Sequence, residues 1–166
     1  YLAGAEAFTH IINIFDKLNI LISYYNMGNK ISAINKIKEH RGWNTFVDCG
    51  AYSAWTHGEV INLEDYANFI KMNLDWIDVY PNLDVKGDIE KTEENFRLLT
   101  EKYGLKPIPV FHVKTRRWDI LQKYIDKYDY IALGAIAGEN IPYDLLIYNL
   151  NKVFSMAKKN PWTRWT

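Results

Sequence analysis

Ile108-Pro109-Val110-Phe111-His112, then a helical pattern on Trp118, Leu121, Ile125 and Tyr128, then Tyr130-Ile131-Ala132-Leu133-Gly134: this stretch decides the fold class. Two β-rich runs enclose one amphipathic helix whose apolar residues recur three or four apart. Hairpins join antiparallel strands, whereas parallel strands need a long crossover, usually a helix. The stretch therefore reads as one β/α/β unit, with Thr115 as candidate N-cap of its helix. Pro107 and Pro109 carry no amide hydrogen, so an ordinary ladder is forbidden at those two nitrogens.

Working outward, the same alternation continues. Upstream, Trp76 to Val85 reads as a long strand, and Ile89 to Tyr103 as a helix capped by Asp88 and stopped by Gly104. Leu63 to Leu74 reads as a helix with Asn62 as N-cap and Asp65 in its first turn. Thr45 to Asp48 is a strand that stops at Cys49-Gly50. Before it come a helix over Lys30 to His40, a buried strand over Ile20 to Tyr25, a helix over Ala7 to Leu18, and a strand end at Tyr1 to Ala5. Downstream, Pro142 suits a first helical turn, and Leu145, Leu146, Leu150, Val153 and Phe154 carry the last helix. Six strands, each followed by a helix, imply an α/β protein with a parallel sheet and helices outside. An open doubly wound sheet fits, and so does a (β/α)₈ barrel of TIM type. A barrel needs at least roughly 200 residues, so six units in 166 residues would be an incomplete one.

The composition bounds the function. With 48% hydrophobic and 24% charged residues, residues 1–166 read as one globular domain rather than a disordered chain. Twenty basic residues balance twenty acidic ones, which neither predicts nor excludes a nucleic-acid partner. Cys49 is the sole cysteine, so no intrachain disulfide and no Cys-rich zinc site can form. No apolar run reaches membrane-spanning length, and no signal peptide is visible.

In parallel β/α folds, functional groups sit at the C-terminal ends of strands. Asp48 ends one strand and is followed by Gly50 and Ser53. Asn82 and Asp84 end the next, on one face because strand side chains repeat every two residues. His112 ends another, and Gly134-Ala135 opens the Gly-rich stretch to Glu139. Taken singly, each has a plainer explanation. An Asp after a strand is usually a turn former, and a lone His is usually structural. Cys49 has no partner base in sequence and reads as an inert buried thiol. No H-x-H or H-E-x-x-H occurs, so no metal site is expected. His10, His40 and His57 carry no functional reading. Lys86 and Lys114 flank strand ends without any Schiff-base signature. The coincidence is what raises the prior. Carboxylates accept from ring N–H and exocyclic amino groups, and Gly-rich backbone lets amides approach a carbonyl. Together they complement a guanine-like edge.

These residues also carry a resemblance. Phe46-Val47-Asp48-Cys49-Gly50-Ala51-Tyr52-Ser53 resembles the D-S-G-G-F-Q motif of queuine and archaeosine tRNA-guanine transglycosylases. It is closer to the D-S-G-A-[FY]-S form of their bacterial and phage DNA-modifying relatives. Tyr80 to Val85 resembles the family strand whose Asp reads the base. Pro107 to His112 falls where the family has a strand ending in a polar base contact, and Ile131 to Glu139 resembles its I-G-G-L-x-x-G-E loop. The ordered set spans about residues 1–140.

The resemblance implies a (β/α)₈ barrel and a base exchange that replaces guanine in DNA with a 7-deazaguanine. It needs no metal or organic cofactor. Asp48 would be catalytic, contacting the base and moving a proton. Asp84 would accept from N1–H and the exocyclic amine. Gly134 and Ala135 would offer backbone amides, and His112 and Ser53 would lie at the same site. The tRNA enzymes carry a Cys₃His zinc site that this chain cannot build, which favours the zinc-free DNA branch. The family's nucleophilic Asp follows a V-H-G-F-G segment on a late strand. Trp162 to Thr166 falls roughly where that segment should begin, so the last two β/α units would be lacking. A piece of a longer protein and a short form both fit. The expected partners are a guanine or 7-deazaguanine base and DNA or tRNA, with no membrane, in a bacterial or phage-infected cytoplasm. The exposed edge of an open barrel would call for a second copy or a covering partner. Two alternatives stand beside the DNA enzyme: a tRNA-acting paralogue, and a non-catalytic base-binding or structural subunit.

Overall fold

The computed structural model describes residues 1–4, 17–27, 31–39, 42–136, 141–157 and 164–165. Residues 7–16 of the helix expected over Ala7 to Leu18, and the Gly138-Glu139 end of the Gly-rich stretch, lie outside these residues; Lys17 and Leu18 are described and are not helical. Two three-stranded parallel sheets form the frame. The first has the order β1 (Leu2–Ala3), β2 (Asn19–Ser23), β3 (Asn44–Asp48). β2 and β3 pair in register over five residues, from Asn19 opposite Asn44 to Ser23 opposite Asp48. Ile20 and Ile22 of β2 are fully buried, and Thr45, Phe46 and Val47 of β3 are buried in succession. A strand covered on both faces reads as such a continuous run.

The helices that follow are set by local chemistry. β2 runs straight into the single turn α1 (Tyr24–Met27), which shortens the strand expected to reach Tyr25. α2 (Ile31–Glu39) precedes β3, and α3 (Ala51–Thr56) follows it. α4 (Leu63–Met72) starts at Asn62, whose Oδ1 accepts from the amides of Glu64 and Asp65 at 2.8 and 3.1 Å. α5 (Ile89–Glu101) starts at Asp88, whose carboxylate accepts the Lys91 amide. Gly104, at φ 68°, stands in the left-handed conformation just beyond it.

The second sheet has the order β4 (Val110–His112), β5 (Tyr130–Gly134), β6 (Arg164–Trp165). Between β4 and β5 run a 3₁₀ turn over Val113–Thr115 and α6 (Trp118–Lys127). Arg117, not Thr115, occupies the cap position of α6. The Thr115 hydroxyl instead donates to the His112 carbonyl at 2.7 Å. α7 (Tyr143–Ala157) begins after Pro142, whose carbonyl accepts from Leu145 and Leu146.

The (β/α)₈ barrel expectation is overturned. Among the described residues the strands are short, β1 pairs only with β2, β6 pairs only with β5, and no ring closes. The open edges are the short two-residue strands β1 and β6, which do not pair with each other, and the segment from Trp76 to Val85, expected to be a full strand, is not one either. It makes one parallel bridge to each neighbouring sheet, Phe46 with Val79 and Pro81 with Ile108. Pro81 has no amide to donate. Beside a few backbone bonds, such as the Val47 amide to the Val79 carbonyl and the Ile108 amide to the Tyr80 carbonyl, side chains take ladder positions. Asp78 Oδ2 accepts the Thr45 amide at 2.6 Å, Asn82 Oδ1 accepts the Val110 amide at 2.9 Å, and the Tyr80 hydroxyl accepts the Lys106 amide at 2.8 Å. The segment thus joins the sheets without being a stave.

Each sheet has its own core. One gathers Ile20, Ile22, Val47, Tyr66, Ile70 and Leu99; the other gathers Phe111, Val113, Leu121, Ile125, Ile131 and Val153. Among the described residues no helix is long and apolar enough to cross a membrane.

Candidate functional site

The site begins where β3 ends. Gly50 has φ 79°, a left-handed conformation that disfavours any side chain. A Cβ there would also lie 2.5 Å from Ser23 Oγ and 2.6 Å from Tyr25 Cβ. Only glycine lets the chain turn this tightly from β3 into α3. The turn is locked by the Gly50 amide, which donates to Asp48 Oδ2 at 2.9 Å. Burial pushes the Asp48 carboxyl up from its ordinary value and the nearby Asp84 charge adds to this, while the Gly50 and Cys49 amides pull the other way.

Next to Asp48, Cys49 points elsewhere. Its thiol is buried and lies 3.1 Å from Asp84 Oδ1, to which it donates. Burial first, and the Asp84 and Asp48 charges after it, push this thiol well above its ordinary value, so it stays a protonated donor. The other oxygen of Asp84 lies 2.6 Å from His112 Nε2. A carboxylate can only accept, which assigns the proton to Nε2. Burial raises the Asp84 carboxyl, but the hydrogen bond and charge of His112, helped by the Cys49 thiol, outweigh it and hold the group below its ordinary value. Asp84 is therefore a buried, charged acceptor beside Asp48, whose proton affinity is raised. Neighbouring carboxylates commonly separate in this way.

β5 supplies the wall behind the imidazole. His112 and Gly134 are register partners. A Cβ on Gly134 would overlap His112 Cδ2 and approach Nε2 and Val110 Cγ1 to 2.9 Å, so the glycine makes room for the ring. Ala135 follows at φ 58°, a left-handed backbone that costs about 1 kcal/mol for a residue with a Cβ.

A cleft of about 270 Å³ opens at these strand ends. It is lined by Ala51, Tyr52, Asp84, Lys86, Gly87, His112, Lys114, Thr115 and Ala135. The structure thus brings Asp84, His112 and Ala135 to one cleft. Asp48 and Gly134 adjoin these residues without lining it, and Ser53 is not brought to it. Ser53 sits half-buried on α3, where its carbonyl accepts from the Thr56 hydroxyl at 2.7 Å. A larger groove of about 550 Å³ lies at the other end of the strands, between Phe96, Pro107, Pro109 and Tyr128, and holds none of this chemistry. Among the described residues no cluster of three His, Cys, Asp or Glu is arranged to hold a metal ion.

Three features were missed from the sequence. The Cys49 thiol holds Asp84, although nothing in the run Asp48-Cys49-Gly50 signals which side chain faces residue 84. Asn82, fully buried, is a ladder substitute rather than a site residue. Lys86 Nζ sits 3.2 Å over the Trp55 ring and 5.4 Å from that of Tyr52. Spacing did offer a signal for the last: Tyr52 and Trp55 are three apart on one helix, and so share a face.

No protein-family model, no curated protein and no solved structure matches this chain.

Proposed function

We propose that the cleft reads the edge of a guanine-like base, and that the chain carries the base-recognition part of a base-exchange glycosyltransferase of the guanine-transglycosylase type, acting on DNA. The observation that carries this reading is Asp84, buried yet held below its ordinary carboxyl range by His112 and Cys49 at the mouth-end of parallel strands. A carboxylate offers about four acceptor positions, and the thiol and imidazole occupy two. The rest suit the N1–H and exocyclic amine of guanine or a 7-deazaguanine. His112 orients the carboxylate, and the backbone at Gly134-Ala135 lies beside it to meet the base carbonyl. Asp48 holds a proton more tightly than an ordinary Asp and adjoins the floor residues, which suits it to proton transfer as the base leaves.

In the exchange, a carboxylate attacks C1′ and the C1′–N9 bond breaks, its electron pair leaving with guanine. The incoming 7-deazaguanine reverses the step and displaces the carboxylate. Donors aimed at the base stabilise the charge that develops on it. The target base must first leave its stack, at a cost of a few kcal/mol. This chain is assigned the reading of the base, not the attack on C1′.

The test is calorimetric titration with guanine and 7-deazaguanine bases. Charge-assisted bonds of this kind are worth roughly 1.5–3 kcal/mol, so Asp84→Ala should bind these bases at least about tenfold more weakly. Asp84→Asn places an NH₂ against the donors of guanine and should weaken binding too. Unchanged affinity in Asp84→Ala would sink the reading. Mass spectrometry of nucleosides, after incubation with DNA, tRNA and candidate bases, separates the DNA reaction from the tRNA one.

A further inference from the structure

We infer that α5 sets the position of Asp84, with Thr92 and Asn95 as its positioning residues. That Asp84 meets a base edge rests on the reading above; how it is held does not. The segment before Asp84 is tied to its neighbours by backbone bonds as far as Asn82, whose amide donates to the Ile108 carbonyl. Beyond that point the buried face of α5 takes over. Asn82 Nδ2 donates to the Thr92 carbonyl at 3.2 Å, and Asn95 Nδ2 donates to the Leu83 carbonyl at 2.9 Å. The Val85 amide donates to Thr92 Oγ1 at 2.9 Å. Asp84 is thus bracketed: the carbonyl before it and the amide after it are both held by one helix.

Those two groups belong to the two peptide planes that meet at the Asp84 Cα. Each plane is rigid, so holding both fixes φ and ψ of Asp84, and with them the direction in which its side chain leaves the backbone. Cys49 and His112 then hold the carboxylate at its far end, at 3.1 and 2.6 Å. Thr92 and Asn95 are three apart in sequence and so share a face of α5. The Thr92 hydroxyl donates to the Asp88 carbonyl one turn back, at 2.8 Å, which leaves its oxygen lone pairs for the Val85 amide. Both side chains are buried, so water does not replace a bond that either loses. Neither lines the cleft, so each acts through Asp84 rather than on a ligand.

The test compares Thr92→Val, which keeps the shape and loses the acceptor, with Thr92→Ser, which keeps the hydroxyl. Asn73→Ala is the control: it removes another buried side chain, which bonds the Phe69 carbonyl and the Trp76 indole and makes none of the bonds above. The first readout is the proton NMR resonance of His112 Nε2–H, shifted downfield by its bond to Asp84. It should move in Thr92→Val and in Asn95→Ala, and stay in place in Thr92→Ser and Asn73→Ala. The second is calorimetric titration of the whole chain with guanine and with hypoxanthine, which lacks the exocyclic amine. Guanine should bind Thr92→Val about tenfold more weakly, the worth of one charge-assisted bond, and its advantage over hypoxanthine should shrink. Thr92→Ser should restore both. In the parent chain the Val85 amide should exchange slowly with deuterated solvent, a measurement that needs no variant to fold. Fast exchange at Val85 would overturn the inference. So would a folded Thr92→Val whose His112 resonance stays in place, or an Asn73→Ala that moves it as far. If the resonance moves as expected while the parent chain binds neither base, the positioning of Asp84 stands and the base-edge reading falls.

Discussion

β3 and the segment from Ile77 to Asp84 run side by side and are held in different ways. β3 is held by a regular ladder to β2, five residues in register, and its side chains are free to fill the core. The neighbouring segment has one bridge on each side, and Asp78, Tyr80 and Asn82 spend their polar groups on backbone amides of other segments. The Tyr66 hydroxyl adds a bond to the Pro81 carbonyl at 2.8 Å. Backbone bonds order the first region, whereas in the second the backbone bonds of Val79 with Thr45 and Val47, and of Tyr80 and Asn82 with Ile108, are supplemented by side-chain bonds. Asp84 belongs to the second and is held in turn by Cys49 and His112.

The comparison breaks most sharply at Asn82. Its Oδ1 accepts from Val110 and its Nδ2 donates to the Thr92 carbonyl, all buried. Asn82→Ala strands two buried backbone groups and should cost about 3 kcal/mol. A lower denaturant midpoint at unchanged slope would show it. Gly50→Ala at the end of β3 should cost about 2 kcal/mol, from the left-handed backbone and the contact with Ser23 and Tyr25. Gly87→Ala shares the positive φ but meets nothing within 4 Å, so it should cost only about 1 kcal/mol. Equal losses in the two glycine variants would remove the steric part of the argument.

Cys49→Ala removes the thiol donor to Asp84 and a small buried volume, and should cost about 1 kcal/mol by thermal denaturation. Acidity should separate the two carboxyls. Asp84 is held below its ordinary value of 3.8, so its contribution to stability is present above that value and is lost as pH falls through the lower folded value. Asp48 is raised, so its contribution is present below 3.8 and is lost as pH rises through the higher folded value. Denaturation midpoints across the acid range should lose their low-pH fall in Asp84→Asn, and should lose the opposing slope in Asp48→Asn. The smallest effect belongs to Asn44 at the start of β3. Its side chain bonds Asn19 at 2.7 Å, but in solvent. Asn44→Ala should cost only a few tenths of a kcal/mol. If it matched Asn82→Ala, burial would not be what distinguishes the two regions.

The sequence by itself determined the α/β class, the parallel order of strands, and the caps at Asn62 and Asp88. Each depends on residues within a few positions of one another: apolar periodicity, a side chain reaching the next turn, a glycine beyond a helix. It also placed Asp48 and His112 at strand ends, whereas Asp84, expected to end a strand, follows a segment that is not one. Only the tertiary structure decided that Asp84 is shared between Cys49 and His112, 35 and 28 residues away. Only it decided that Trp76 to Val85 makes single bridges rather than a full strand, and that β1 and β6 do not meet to close a barrel among the described residues. β-rich composition and period-two alternation describe which residues suit a strand. They do not show whether the amides opposite find carbonyls or side chains, and at Thr45, Lys106 and Val110 it was side chains that reached them first.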